Sequence, residues 1–368
     1  MDFDLTEDHR AVREMADALF AAHGGDEYVK QLADAGRTWD ERLWQRLGEG
    51  GLFSLALDEE HGGSGLGMLE FALALEQQGR YLASAPWWAH HLVTLAVARF
   101  GTAGLKARSL PGLIDGTTPA TLAIEAVECG APKAAPRGDA LQLDGVLAAV
   151  PIDSLHRLIL IPVQTEAGRR LALIDAALPG VTRTSGVLTD LQPVHDLHFA
   201  NATVAADSLL TADALPWLEE RIALCIGALQ TGVLAEALQR TARFTTERHQ
   251  FGRPLGSFQG LAMRAADAYI EVELLRSTVW QLAWRLDNNL PATAAARTAK
   301  LHAARAGHVV GHTVQHLHGG TGTDLTYPIH RFFLKSQALA AMGGGQETQL
   351  ARIGRELAGP RFEEYLHA

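Results

Sequence analysis

From Leu5 to about Leu105 the apolar residues recur at the three-to-four spacing of helices, broken by Gly50-Gly51, by His61-Gly62-Gly63-Ser64-Gly65 and by Pro86. Thr6 stands where a hydroxyl can cap the first helix. This pattern predicts a helical domain over residues 1–119. Between about Thr121 and Leu210 the period changes to short apolar or alternating runs bounded by turn formers: Leu122-Ala123-Ile124, Ala140 to Leu143, Leu158 to Val163, Leu171 to Ile174, Val181 to Thr184 and Leu197 to Phe199. With no helical segment between them, these runs predict a small, mostly antiparallel β domain over 120–212.

Helical character returns after Pro216 and meets no proline until Pro254, which predicts one long helix over Trp217–Thr246. A second follows Ser257, with a core stripe of Leu261, Ala265, Ala268, Val272, Leu275, Val279, Leu282 and Leu286. Further helices are expected from Ala292 to about Leu317 and from Pro328 through Ala341. The chain therefore reads as α+β: an N-terminal helical domain, a central β domain, and a C-terminal four-helix bundle over 213–368.

Composition narrows the partners. Across 368 residues, 32 Lys and Arg face 42 Asp and Glu, a formal charge of −10, and no basic cluster is interleaved with aromatics, so nucleic acid is not expected. Two cysteines, Cys129 and Cys225, are too few for a disulfide scaffold or a thiolate metal site and suit a reducing compartment. The acidic start does not resemble a signal peptide, and aliphatic stretches such as Leu158 to Ile161 are too short to span a bilayer. A cytoplasmic protein without a membrane segment is expected.

Gly62-Gly63-Ser64-Gly65-Leu66-Gly67 and Gly319-Gly320-Thr321-Gly322 both invite a phosphate-loop reading, yet each follows a helical segment rather than a strand, unlike a dinucleotide fingerprint. His308, His312 and His316 lie four apart on one helical face, but no glutamate or thiolate completes a zinc set, so no metal is expected. No Gly-x-Ser-x-Gly elbow is present, and neither cysteine has a neighbouring histidine. The segment Thr246-Glu247-Arg248-His249-Gln250-Phe251-Gly252-Arg253-Pro254-Leu255-Gly256-Ser257-Phe258-Gln259 is different in kind. It is either a helical hairpin broken by Gly252, Pro254 and Gly256, or an anion- and ring-binding corner with Arg248 as its charge.

At this corner the sequence resembles the acyl-CoA dehydrogenase family. The resemblance takes in Leu43-Trp44, Gly51-Leu52, Glu59-Glu60-His61-Gly62-Gly63, Gly65-Leu66-Gly67, Glu76, Gly79 and Pro86. It also takes in the Arg-x-Gln-Phe-Gly corner with Ser-Phe-Gln, and Gln315-His316-Leu317-His318-Gly319-Gly320-Thr321-Gly322 followed by Tyr327-Pro328. The resemblance implies FAD lying across a subunit interface, with the arginine corner of one protomer and the Gly-Gly segment of the other holding adenosine and pyrophosphate. Carried over, Arg248, Gln250, Phe251, Gly252 and Gln259 belong to the first half, and Gln315, His316, Gly319 and Gly320 to the second.

The departures sort by place. The family's usual base, a glutamate sixteen residues beyond the tyrosine of Tyr-Pro, falls on Gly343, and the alternative position, twenty-nine residues before the phenylalanine of Phe-Gly, falls on Ile222. Glu219, one turn earlier, is a weak substitute. The Thr-Glu-Pro that touches the flavin ring is reduced to Ile124-Glu125-Ala126, and the glutamine expected three residues before Gly-Gly is His316, with Gln315 one step back. Pyrophosphate contacts remain while the ring contacts and the base do not, so the catalytic residues of this chain stay unknown. The pattern resembles the non-identical second subunit of heteromeric acyl-CoA dehydrogenases that act on steroid side-chain thioesters, which implies an acyl-CoA substrate and a paralogous partner in a heterotetramer. Two alternatives stand beside it: a homo-oligomer of the same fold with hydratase or dehydratase activity, and a structural subunit.

Overall fold

The computed structural model describes residues 3–37, 39–123, 130–153 and 155–359. Helices come first: α1 (Glu7–Ala22), α2 (Asp26–Asp34), α3 (Glu41–Glu49), α4 (Met68–Arg80), α5 (Trp87–Phe100) and α6 (Ala103–Ile114). Strands β1 (Ala120–Leu122), β2 (Lys133–Arg137), β3 (Ala140–Val150), β4 (Leu158–Thr165), β5 (Gly168–Asp175), β6 (Val181–Val187) and β7 (Pro193–Ala205) follow. The chain then returns to helix with α7 (Ala214–Glu247), α8 (Gln259–Asp287), α9 (Thr293–His318), α10 (Ile329–Ala341) and α11 (Gln346–Leu357). Two compact units result. Residues up to 35, 68–83 and those from 223 onward form one; residues 36–67 and 84–222 form the other, and the boundary falls inside α7.

In the first unit Thr6 caps α1 in both directions: its hydroxyl accepts from the His9 amide and His9 Nδ1 accepts from the Thr6 amide, each at 3.2 Å. Glycines let α4 lie against α7, since an added Cβ on Gly79 or Gly232 would meet backbone at 2.2 and 1.9 Å. The stripe on α8 is buried from Ala268 to Leu286, while Leu261 and Ala265 are only half-buried. The helix α11 lies beyond the four foreseen; it is polar, and Gln349 is its one buried residue.

In the second unit one seven-stranded sheet runs in the order β1-β4-β2-β3-β7-β6, with β5 on β4. Its hairpin partners are antiparallel as expected, whereas β1 and β2 meet β4 in parallel. Leu143, Leu147, Ile159, Ile161, Val163 and Leu197 fill its core. Helix α5 carries two fully buried imidazoles. His90 donates from Nε2 to the Leu113 carbonyl at 2.7 Å and accepts at Nδ1 from the Ala120 amide at 3.1 Å. His91 donates from Nδ1 to the Phe53 carbonyl at 2.9 Å and accepts at Nε2 from the Ala56 amide at 3.3 Å. Each ring is thus satisfied only as the neutral form. Burial, above all other influences, pushes their pKa values down to about 3 and about 4.

Helix α7 is long and apolar enough to cross a bilayer, which the short aliphatic runs did not suggest; 89% of its most apolar stretch is buried, as befits a core helix. The glycine run after His61 is a packed loop. An added Cβ on Gly63 would lie 2.0 Å from the Leu57 carbonyl oxygen, so close backbone contact within the chain accounts for that glycine.

Candidate functional site

The corner begins where α7 ends. The Arg248 amide still donates to Phe244 at 2.8 Å, and the Arg248 carbonyl accepts from Leu255 at 2.8 Å, which closes a hairpin of two-residue strands, β8 (His249–Gln250) and β9 (Arg253–Pro254). A two-residue connection between such strands needs two left-handed residues; Gly252 takes φ +79° freely, but Phe251 takes φ +53° at a steric cost of roughly 1–2 kcal/mol. Strain of this kind marks sites held for a purpose. The Phe251 side chain is 90% exposed, so burial within the chain does not repay it.

The polar groups around the hairpin are equally unspent. Among the described residues the side chains of Arg248, Gln250 and Gln259 are exposed and meet no hydrogen-bonding or ionic partner. Arg253 differs, stacking 3.9 Å over the Phe258 ring. Helix α8 starts at Gln259 without a side-chain cap, leaving its first amides open to an anion. An added Cβ at Gly260 would meet nothing within 4 Å.

The second signature sits at the end of α9. Gly319 adopts φ 58° with ψ −138°, a conformation reserved for glycine, while Gly320 has ordinary φ and an added Cβ there would point into open space. No contact with a described residue demands glycine at 320; close approach of something outside the chain would. His316 is turned aside, its Nδ1 accepting from Arg264 at 2.7 Å. Gln315 keeps a buried side-chain nitrogen without a partner among the described residues. His318 stacks on Phe244 at 4.4 Å and 25°, with Tyr327 at 5.5 Å; burial lowers its pKa, and its Nδ1 donates to Val314 at 2.9 Å.

Phe244, four residues before Arg248, stacks on His318, next to Gly319, so the two signatures lie near one another within this chain. His318 was legible only as part of a string; its pairing with Phe244 spans the whole of α8 and α9. An exposed guanidinium, an uncapped helix start and a glycine facing open space fit the diphosphate of FAD.

The base position is built differently. Gly343 and Gly344 take φ 66° and 90°, and the buried Gln349 amide donates to both their carbonyls, at 3.0 and 3.3 Å. This loop is closed upon itself. Ile222 is buried, and Glu219 is half-buried. Ile124-Glu125-Ala126 lies outside the described residues, as does Cys129. His308 and His312 pack edge to face at 4.5 Å, and His312 rests on Phe333 at 5.2 Å.

Comparison with known proteins agrees on one family. The model of the acyl-CoA dehydrogenase N-terminal domain matches residues 6–117, and that of the acyl-CoA dehydrogenase C-terminal domain matches residues 218–358. Acyl-CoA dehydrogenase FadE27 of Mycobacterium tuberculosis is 36% identical, covering 97% of this chain and 99% of its own. Among solved structures, the ChsE4-ChsE5 complex from Mycobacterium tuberculosis superposes with a TM-score of 0.92 at 36% identity, over 97% of this chain and 99% of that one. A Tcur3481-Tcur3483 steroid ACAD variant does so with a TM-score of 0.90 at 34% identity, over 96% and 98%.

Proposed function

The chain belongs to the acyl-CoA dehydrogenase family and takes FAD as its cofactor, and from this premise we propose that it is the second, non-identical subunit of a heteromeric, steroid side-chain type enzyme. What carries the reading is a contrast within one unit: the Arg248 side chain is exposed and pairs with no described residue, while Gly343, at the place of the base, lies in a loop pinned by Gln349. The heteromeric ChsE4-ChsE5 relative supports it.

When bound, FAD supplies the hydride acceptor for α,β-desaturation of an acyl-CoA thioester. This chain's share is to hold and orient. Arg248 pairs with the diphosphate, the first amides of α8 add their dipole, and Gly319 and Gly320 allow backbone approach. Gln250, Phe251, Gly252 and Gln259 shape the adenosine side, with Gln315 and His316 at the rim. A glycine cannot accept the α-proton, so the carboxylate base and most ring contacts come from a paralogous partner in a cytoplasmic heterotetramer.

The chain expressed alone should retain little flavin and should reduce no artificial acceptor with any acyl-CoA. Co-expression with a paralogous chain bearing the missing glutamate should yield a yellow complex of equal stoichiometry. Robust turnover by the single chain overturns the proposal.

A further inference from the structure

A groove of about 790 Å³ opens in the first unit, floored by α7 and walled by α1, α4 and α8, and it shares no residue with the arginine corner. Its lining holds five carboxylates against three guanidinium groups. The excess is local. At one end Arg80 bridges Asp17 at 3.1 Å and Glu236 at 3.3 Å, but Glu236 is also met by Arg240 and Arg243, so that end is neutralised. At the other end a single guanidinium, Arg276, serves both Glu76, at 3.0 Å, and Glu273. One negative charge is left over there. Glu14, on the α1 rim, is exposed and pairs with no described residue; Arg13 beside it is half-buried and equally unpaired.

Two further observations point to a ligand rather than to a solvated gap. Gln77, also in the lining, is only 5% exposed, yet its amide forms no hydrogen bond with any described residue. With no partner among those residues, its amide faces the groove, where only solvent or a ligand can meet it. Tyr269 and Trp280 stand on the face of α8 that carries Glu273 and Arg276, spaced i, i+4, i+7 and i+11, so two aromatic rings flank the surplus carboxylate. Rings beside a carboxylate favour a desolvated cation over an anion or a neutral group.

We propose that this groove is a binding site for an organic cation, an ammonium or guanidinium carried on an aliphatic stem, with Glu273 and Glu76 taking the charge, the Gln77 carbonyl accepting a hydrogen bond and Tyr269 and Trp280 enclosing the stem. The same chemistry is offered by a free amine or by a lysine or arginine of a partner chain. The site does not depend on the flavin reading, because none of its residues serves that corner.

Agmatine is a suitable probe, titrated calorimetrically into the full chain with glutarate as an anion of similar length. Agmatine should bind and glutarate should not. Glu273→Gln should weaken agmatine about tenfold or more, as loss of a charge-assisted hydrogen bond does. Glu14→Gln, on the exposed rim where folding is not at stake, should weaken it severalfold. Repeating the titration on the complex with a paralogous partner separates the two sources: binding retained assigns the site to a free amine, and binding lost only in the complex assigns it to a partner's basic side chain. No binding of millimolar agmatine to the isolated chain, tighter binding of glutarate, or affinity indifferent to both substitutions overturns the proposal.

Discussion

His90, His91 and Gln349 differ from Arg248, Gln250 and Gln259 in who answers them. The first three are buried, and every donor they carry is met by backbone of their own chain. The side chains of the latter three are exposed and met by no described residue. A fold has reason to keep the former for stability alone; the side chains of the latter gain no hydrogen bond or ion pair among the described residues. The difference teaches that the arginine corner and the glycine loop at the base position, though both rich in left-handed backbone, are built differently. One leaves its polar side chains exposed, as the proposed half-site requires, and the other is a finished turn.

If that division is right, perturbing inward-facing groups should cost stability and spare flavin, and perturbing outward-facing groups should do the reverse. Acid gives the largest effect. His90 and His91 are held neutral with pKa values below the ordinary 6.5, so the unfolded chain binds their protons first as pH falls. Their stabilisation is complete above about pH 6.5 and is lost progressively towards pH 3–4, at about 1.4 kcal/mol per pH unit for each ring. At pH 5 the pair should have cost roughly 4 kcal/mol relative to pH 7. Denaturant midpoints at the two pH values test this, and a midpoint that is flat over that range would break the inward half of the comparison.

The next effect belongs to the outward half. Arg248→Ala should weaken flavin retention roughly 30-fold or more, in line with about 2–5 kcal/mol for removing one partner of a desolvated ion pair, while leaving the thermal midpoint of the chain nearly unchanged. Arg248→Lys should restore only part, because a point charge lacks the planar fork. Flavin absorbance per complex after gel filtration decides; full occupancy in the alanine variant returns the corner to an ordinary helical hairpin. The smallest effect sharpens the contrast at Gly343. Gly343→Glu places a side chain at φ 66°, at a cost of about 1–2 kcal/mol, and should not create strong dehydrogenase turnover, since a base must be held within reach of its proton. Turnover near that of ordinary family members would mean that a complete flavin site already exists in this chain.

Much of this was legible in the sequence, and the reasons are physical. The stripe on α8 and the cap at Thr6 are local and periodic, so spacing alone reveals them. The two-residue hairpin turn at Phe251-Gly252 was not legible, because phenylalanine does not favour left-handed backbone and the sequence showed only a break between two helices. Strand β2 escaped notice because Lys133, Pro136 and Arg137 break any alternation, and its pairing with β3 supplies what its composition lacks. Helix α11 escaped because it buries little. The Phe244–His318 stack and the carboxylate groove each join residues from separate elements, which no local pattern announces.

The boundary inside α7 also shapes how the chain comes off the ribosome. The first unit is assembled from both ends of the sequence: Arg80 waits 156 residues for Glu236, and Asp26 waits 214 for Arg240. At about 5–20 residues per second, that is roughly ten to forty seconds of synthesis during which α1, α2 and α4 have emerged without the helices that complete them. The intervening unit, contiguous but for a short early segment, can fold meanwhile. Nascent chains of this protein should therefore depend on holding chaperones for their N-terminal helices until α7 is fully translated.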